Sequence, residues 1–143
     1  MITVLMGAPG AGKSTWVKQN ATDEHIFNTE GVRVNREMDI ASYMHIQRLR
    51  AIKAVEAGQS LIADGTHTIA QHRLVWLNLA KRLELPKRII VFPVALPILL
   101  NVQKTRQHPA PSNVVVNHYK RLQSAQVSIK QEGWDEIIYA QRF

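Results

Sequence analysis

The sequence predicts an α/β protein with a parallel sheet of four to five strands and helices on both faces. Two observations carry this. Short apolar runs of strand length alternate along the chain with longer stretches whose apolar residues recur at helical spacing, and strands that alternate with helices join as parallel neighbours through crossover connections. Glycine or proline punctuates several of the boundaries between them.

The elements follow in order. Ile2 to Met6 is a short apolar run bounded by Gly7 and reads as a buried strand. A helix follows from about Lys13 to Gln19, and His25 to Asn28 reads as a short second strand. Met38 to Ala57 is a helix, because Ile46, Leu49, Ile52 and Val55 recur at every third position, and Gly58 stands where a helix ends in the left-handed conformation. Ser60 to Ala63 is an apolar strand ending at Asp64. Ala70 to Leu83 is a helix with Trp76, Leu79, Ala80 and Leu83 on one face, and Pro86 bars its continuation. Arg88 to Val94 is the most apolar strand. Pro97 suits the first turn of a helix that runs to about Arg106, and Gln107 to Pro111 is a loop. Asn113 to Gln131 is the last helix, with Val115, Tyr119, Leu122 and Ile129 on one side, and Glu136 to Ala140 is an edge strand.

Composition narrows the function. A chain of 143 residues, 45% hydrophobic and 20% charged, fits one globular domain over 1–143. There is no cysteine, which excludes disulfides, thiolate metal sites and cysteine nucleophiles. Neither a secretory signal nor a membrane span is expected, since the longest apolar stretch, Ile89 to Leu100, falls short of the roughly 20 residues a span needs. The expected location is cytoplasmic. The formal charge of +7 favours polyanionic partners, and the basic residues are spread from Arg33 to Arg142 without forming a block.

The strongest chemical signal is Gly7-Ala8-Pro9-Gly10-Ala11-Gly12-Lys13-Ser14, followed by Thr15, which matches G-x-x-x-x-G-K-[ST] between a strand and a helix. Glycines let successive backbone N–H groups curl around phosphate oxygens, and the helix N-terminus adds a favourable dipole. Lys13 can reach the β and γ phosphates, and the Ser14 hydroxyl can ligate magnesium. Gly7 to Thr15 therefore form the expected site for ATP and Mg2+, and the sheet is expected to be of the P-loop kinase type. The acceptor is not fixed by this motif.

Three stretches resemble the polynucleotide 5′-hydroxyl kinases of phages and their relatives in RNA and DNA repair: Gly7 to Trp16, Phe27-Asn-Thr-Glu-Gly-Val-Arg33, and Ala57-Gly-Gln-Ser-Leu-Ile-Ala-Asp-Gly-Thr-His67. The resemblance runs from Met1 to about Leu122 and covers the kinase half of the two-domain phage enzymes. It implies transfer of the ATP γ-phosphoryl to the 5′-hydroxyl end of a nucleic acid. It implies that Glu30, where the family usually has Asp, is the general base, with Glu37 and Asp39 as rivals. Arg33 is then the clamp on the acceptor's phosphate. Asp64 and Thr66 fall on the acceptor side, and Asp64 orients a magnesium-bound water or holds Arg33. His67 replaces the family's asparagine, and His67 and His72 lie near that side. A fainter similarity in Gln103-Lys-Thr-Arg106 makes Arg106 the arginine that neutralises charge on the transferred group, with Lys104 and Arg121 as rivals. No Asp-x-Asp-x-Thr phosphatase signature is present.

Two other readings stand beside this one: a P-loop kinase of a small metabolite or nucleoside, and a nucleotide-dependent binding module. The histidines show no His-x-x-x-His spacing and read mostly as surface or helix residues. Tyr43, Trp76 and Tyr119 read as core.

Overall fold

A computed structural model describes residues 1–28 and 40–141. Its elements are β1 (Ile2–Met6), α1 (Lys13–Asn20), β2 (His25–Asn28), α2 (Ile40–Glu56), β3 (Leu61–Asp64), α3 (Ala70–Arg82), β4 (Lys87–Val91), α4 (Leu96–Gln103), α5 (Ser112–Ser128), a 3₁₀ turn (Ile129–Gln131) and β5 (Glu136–Tyr139). The strands form one sheet in the order β2-β3-β1-β4-β5, and every neighbouring pair is parallel. All the strands therefore end at the same edge of the sheet, and the segments that leave that edge meet there.

β1 is central, and all its residues are buried, as a strand covered on both faces must be. Its side chains alternate between two cores. Ile2, Val4 and Met6 pack with Ala51 and Val55 of α2, Trp76 and Leu79 of α3, and Leu122 and Ala125 of α5. Leu5 packs on the opposite face with Val17 of α1, Leu99 of α4 and Val115 near the start of α5. Thr3 shares that alternation, and its hydroxyl accepts a hydrogen bond from Arg88 Nε at 2.9 Å. Phe27 and Trp76 meet edge to face with ring centres 5.0 Å apart. No helix among the described residues is long and apolar enough to cross a membrane.

Three boundaries differ by more than one residue from those read in the sequence. β4 ends at Val91 rather than Val94. Phe92 N still donates to Met6 O at 2.9 Å, but Pro93 has no N–H to continue the ladder, and Val94 N turns back to Phe92 O at 3.0 Å. α4 stops at Gln103, short of Arg106. The next residues, Lys104, Thr105 and Arg106, each donate to the carbonyl three positions back, so the chain tightens and turns before the Pro109 and Pro111 loop. The last helix ends at Ser128, and Ile129 to Gln131 wind into a 3₁₀ turn. The expected start of α2 at Met38 lies outside the described residues.

Candidate active site

The loop after β1 is built around what its glycines permit. Gly7 N donates to Thr66 O at 3.0 Å, which joins the loop to the segment after β3. A Cβ at Gly7 would stand 2.9 Å from Phe92 Cβ, so no larger residue fits without a shift. Gly10 and Gly12 have φ of 89° and 98°, in the left-handed region that costs other residues energy. α1 starts at once with Lys13, and no side chain caps it. The first-turn N–H groups could therefore meet an anion, and the helix dipole has the matching sign.

Lys13 is only 4% exposed, and its Nζ donates to Gly7 O at 2.8 Å and Ala8 O at 2.9 Å, spanning the loop from inside. Ser14 and Thr15 are exposed on the outer side. Beside them lies a cavity of about 940 Å³. It is lined by the loop, Gly10 to Thr15, and by the apolar side chains of Trp16, Pro93, Ile98 and Val102, among others. A cavity that joins a polar loop to apolar walls suits a nucleotide, which has phosphates for the one and a base for the other. Arg106 lines the same cavity, and its Nη1 donates to Gln103 Oε1 at 3.2 Å.

Asp64 closes β3, is 4% exposed, and stands in register with Asn28 at the end of β2. The Gly7–Thr66 bond places this segment beside the phosphate loop. Among the described residues no cluster of three His, Asp or Glu could hold a metal ion by itself. The Ser14 hydroxyl and the Asp64 carboxylate are nevertheless hard oxygen donors of the kind magnesium takes, alongside nucleotide phosphates and water. Glu30 and Arg33 lie outside the described residues, as do their rivals Glu37 and Asp39.

His67 is a framework residue, not a surface one. It is 5% exposed and has a φ of 48°. Its Nε2 accepts from Trp76 Nε1 at 3.1 Å. Indole can only donate, so the proton sits on Nδ1, which donates to Leu5 O at 2.8 Å. Burial, against the favourable carbonyl contacts, pushes the imidazole down to about 4, so it is neutral at pH 7. His67 thereby pins the turn after β3 to β1.

Two residues carry structure that the sequence did not reveal. Arg73 is 1% exposed. Its Nε and Nη2 donate to Glu132 at 3.0 and 2.7 Å, and its Nη1 donates to His67 O at 2.9 Å. A signal existed: Arg73 shares the inward stripe with Trp76, Leu77 and Ala80, where a charge needs a buried partner. The other is Gln103, buried at the end of α4, for which no sequence signal exists.

Charge is unevenly distributed. Among the described residues, Asp23 and Glu24 precede β2, Glu56 ends α2, Glu84 precedes β4, and Glu132, Asp135 and Glu136 lead into or open β5. All of these belong to segments that feed the strands. There they mix with cations, as in the Arg82–Glu56 pair at 3.1 Å and the Lys87–Asp135 pair at 3.8 Å. At the edge where the strands end, the described residues offer one carboxylate, Asp64, against Lys13, Lys104 and Arg106. The His72 imidazole in the first turn of α3 is held below its usual range by desolvation and then by Arg48, Arg121 and Arg73.

Known proteins share this fold. The AAA_33 family, described as an AAA domain, matches residues 2–127. The bifunctional polynucleotide phosphatase/kinase of Schizosaccharomyces pombe is 31% identical over 90 residues, 62% of this chain. The match spans only 20% of that protein's length. Two structures of deoxyadenosine kinase from M. mycoides, one with bound dATP and one with dCMP and a flexible dCDP, superpose with TM-scores of 0.58 and 0.54 at 14% and 17% identity. Each comparison covers 99% of this chain and 90% of the other, and at that identity the likeness is one of fold. With the family match spanning most of the sheet and its helices, the chain belongs to the AAA_33 family of AAA domains and is a nucleotide-binding domain of the P-loop kinase type.

Proposed function

We propose that this domain transfers the γ-phosphoryl of ATP, with magnesium, to the 5′-hydroxyl of a DNA or RNA strand. The observation that supports it best is the partial likeness to a polynucleotide phosphatase/kinase, 31% identical over 90 residues. The formal charge of +7 suits an acceptor that brings its own phosphates better than an uncharged nucleoside or small metabolite. Nucleic-acid repair, the setting of the phage and cellular enzymes that the sequence resembles, is the proposed role.

In this reading Gly7 to Ser14 and Thr15 hold the ATP phosphates, and Ser14 and Asp64 hold the magnesium, which neutralises charge on the nucleotide. Glu30 takes the proton of the 5′-hydroxyl as its oxygen forms a bond to the γ-phosphorus and the bond to the ADP oxygen breaks. Arg33 grips the phosphate next to that hydroxyl, and Asp64 and Thr66 complete the acceptor side. Lys13 and Arg106 stabilise the charge spread over the transferred group. Catalysis is then chiefly positioning and electrostatics.

The test is incubation with γ-labelled ATP, magnesium and a single-stranded oligonucleotide bearing a 5′-hydroxyl, beside a nucleoside acceptor and an Arg33→Ala variant. Label on the oligonucleotide, steeply reduced by salt and by the variant, is the expected result. Label on the nucleoside alone would replace the polynucleotide with a small acceptor. Labelling of neither, with ATP-dependent capture of a partner, would make the domain a binding module.

A further inference from the structure

The carboxamide of Gln103 is 8% exposed and uses both of its ends. Nε2 donates to Pro9 O at 2.8 Å and to Leu99 O at 3.3 Å. Oε1 accepts from Ala110 N at 3.0 Å and from Arg106 Nη1 at 3.2 Å. With carbonyls on one side and N–H groups on the other, only this orientation of the amide satisfies all four partners. The residue thus joins the phosphate loop, the end of α4, the chain just before α5 and the guanidinium at the cavity wall. The approach is close: a Cβ on Gly10 would stand 2.7 Å from Nε2. The glycine that opens the loop to phosphate also admits the side chain that braces it.

We propose that Gln103 is a positioning residue that couples Arg106 to the phosphate loop, so that the guanidinium is set against the terminal phosphate of a bound nucleotide by the same amide that holds the loop. This rests on the role given to Arg106 above. A buried amide that merely filled space would affect stability and leave no mark on how the site distinguishes ATP from ADP. A coupling amide affects that distinction, because only ATP offers the phosphate that Arg106 meets.

Binding of ATP and ADP is measured by titration calorimetry in the wild-type domain, Gln103→Met, Arg106→Ala and the double variant, with thermal melts alongside. Gln103→Met keeps the volume and removes every hydrogen bond of the amide. The expected result is an ATP-over-ADP preference reduced about tenfold in each single variant, as for loss of one hydrogen bond to a charged group, and no further in the double. A retained preference in Gln103→Met, or losses that multiply in the double variant, would overturn the proposal. Should Gln103→Met fail to fold, Gln103→Glu decides. It keeps the acceptor for Ala110 N and Arg106 but sets an oxygen against Pro9 O. Because it breaks the link to the loop while keeping the contact to Arg106, it is expected to reduce the ATP-over-ADP preference as Arg106→Ala does, and a retained preference would overturn the coupling. No acceptor strand is needed, so failure of the polynucleotide assignment leaves this experiment intact.

Discussion

Replacing Arg73 with methionine isolates the energetic weight of the one buried charge in α3. The substitution keeps much of the volume and removes the donors to Glu132 and the 2.9 Å bond to His67 O. Glu132 retains Trp134 Nε1 at 3.0 Å. Breaking a buried ion pair by removing one partner costs about 3–5 kcal/mol. The Glu132 side chain is 18% exposed, so water partly rehydrates the orphaned carboxylate and the low end applies. The lost bond to His67 O adds about 1 kcal/mol, for a total near 4 kcal/mol. A domain of this size has only about 7–20 kcal/mol in hand, and the loss corresponds to a melting temperature lower by roughly 12 °C. The assay is urea and thermal unfolding at pH 7, with Arg73→Met/Glu132→Leu beside the single variant. The double variant should regain at least half the loss, because it leaves no charge without a partner.

Acid sharpens the comparison. In the folded protein, burial raises the Glu132 carboxyl, but hydrogen bonds from Arg73 and Trp134 outweigh it and hold the group below the usual carboxylate range. A depressed folded value stabilises the protein above the unfolded carboxylate pKa, and the contribution is lost as pH falls through the folded value. In Arg73→Met the main opposing bonds are gone, so its deficit relative to wild type should shrink as pH falls and the carboxyl protonates. A loss below about 1 kcal/mol at pH 7, or a double variant no more stable than the single, would refute the reasoning.

Gly10→Ala should lower nucleotide affinity by about tenfold or more and melt a few degrees lower, since a left-handed alanine costs about 1–2 kcal/mol and its Cβ displaces Gln103; calorimetry and a melt check it, and unchanged affinity would oppose it. Because the folded His67 imidazole is pushed down to about 4, the unfolded chain binds more protons between its own pKa near 6.5 and that value, so stability should fall as pH drops through this window. His67→Asn, whose side chain tolerates positive φ, should flatten that slope in urea titrations at pH 7 and pH 4.5. Lys13→Ala should abolish measurable phosphoryl transfer while circular dichroism remains that of the folded domain.

The sheet was legible because each strand is an apolar run of fixed length and each helix has a one-sided stripe. The stripe from Ile46 to Val55 lies within α2, its expected end at Ala57 is one residue past the observed one, and Ala70 to Leu83 matches α3 to within a residue. The phosphate loop was legible because its chemistry is local: backbone N–H groups, glycines and one lysine, all within nine positions. What was not legible depends on contacts across long sequence separations. Gln103 reaches Pro9 across 94 positions, and Arg73 reaches Glu132 across 59. A glutamine in Val-Gln-Lys-Thr and a glutamate in Gln-Glu-Gly read as ordinary surface residues until the fold brings their partners to them. His67 is a different case. Its place in a segment similar to an acceptor-binding one drew attention to its chemistry, but the positive φ, the indole donor and the Leu5 carbonyl make it part of the framework. The end of α4 was overrun because hydrophobic spacing does not reveal where hydrogen bonds tighten from four residues back to three.

The charge at the edge where the strands end also acts at a distance. Among the described residues, Lys13, Lys104 and Arg106 stand there against Asp64. Such a local excess attracts phosphates over a Debye length, about 8 Å at physiological salt, so a nucleotide is drawn toward the phosphate loop before it makes contact, and the pull weakens as salt rises.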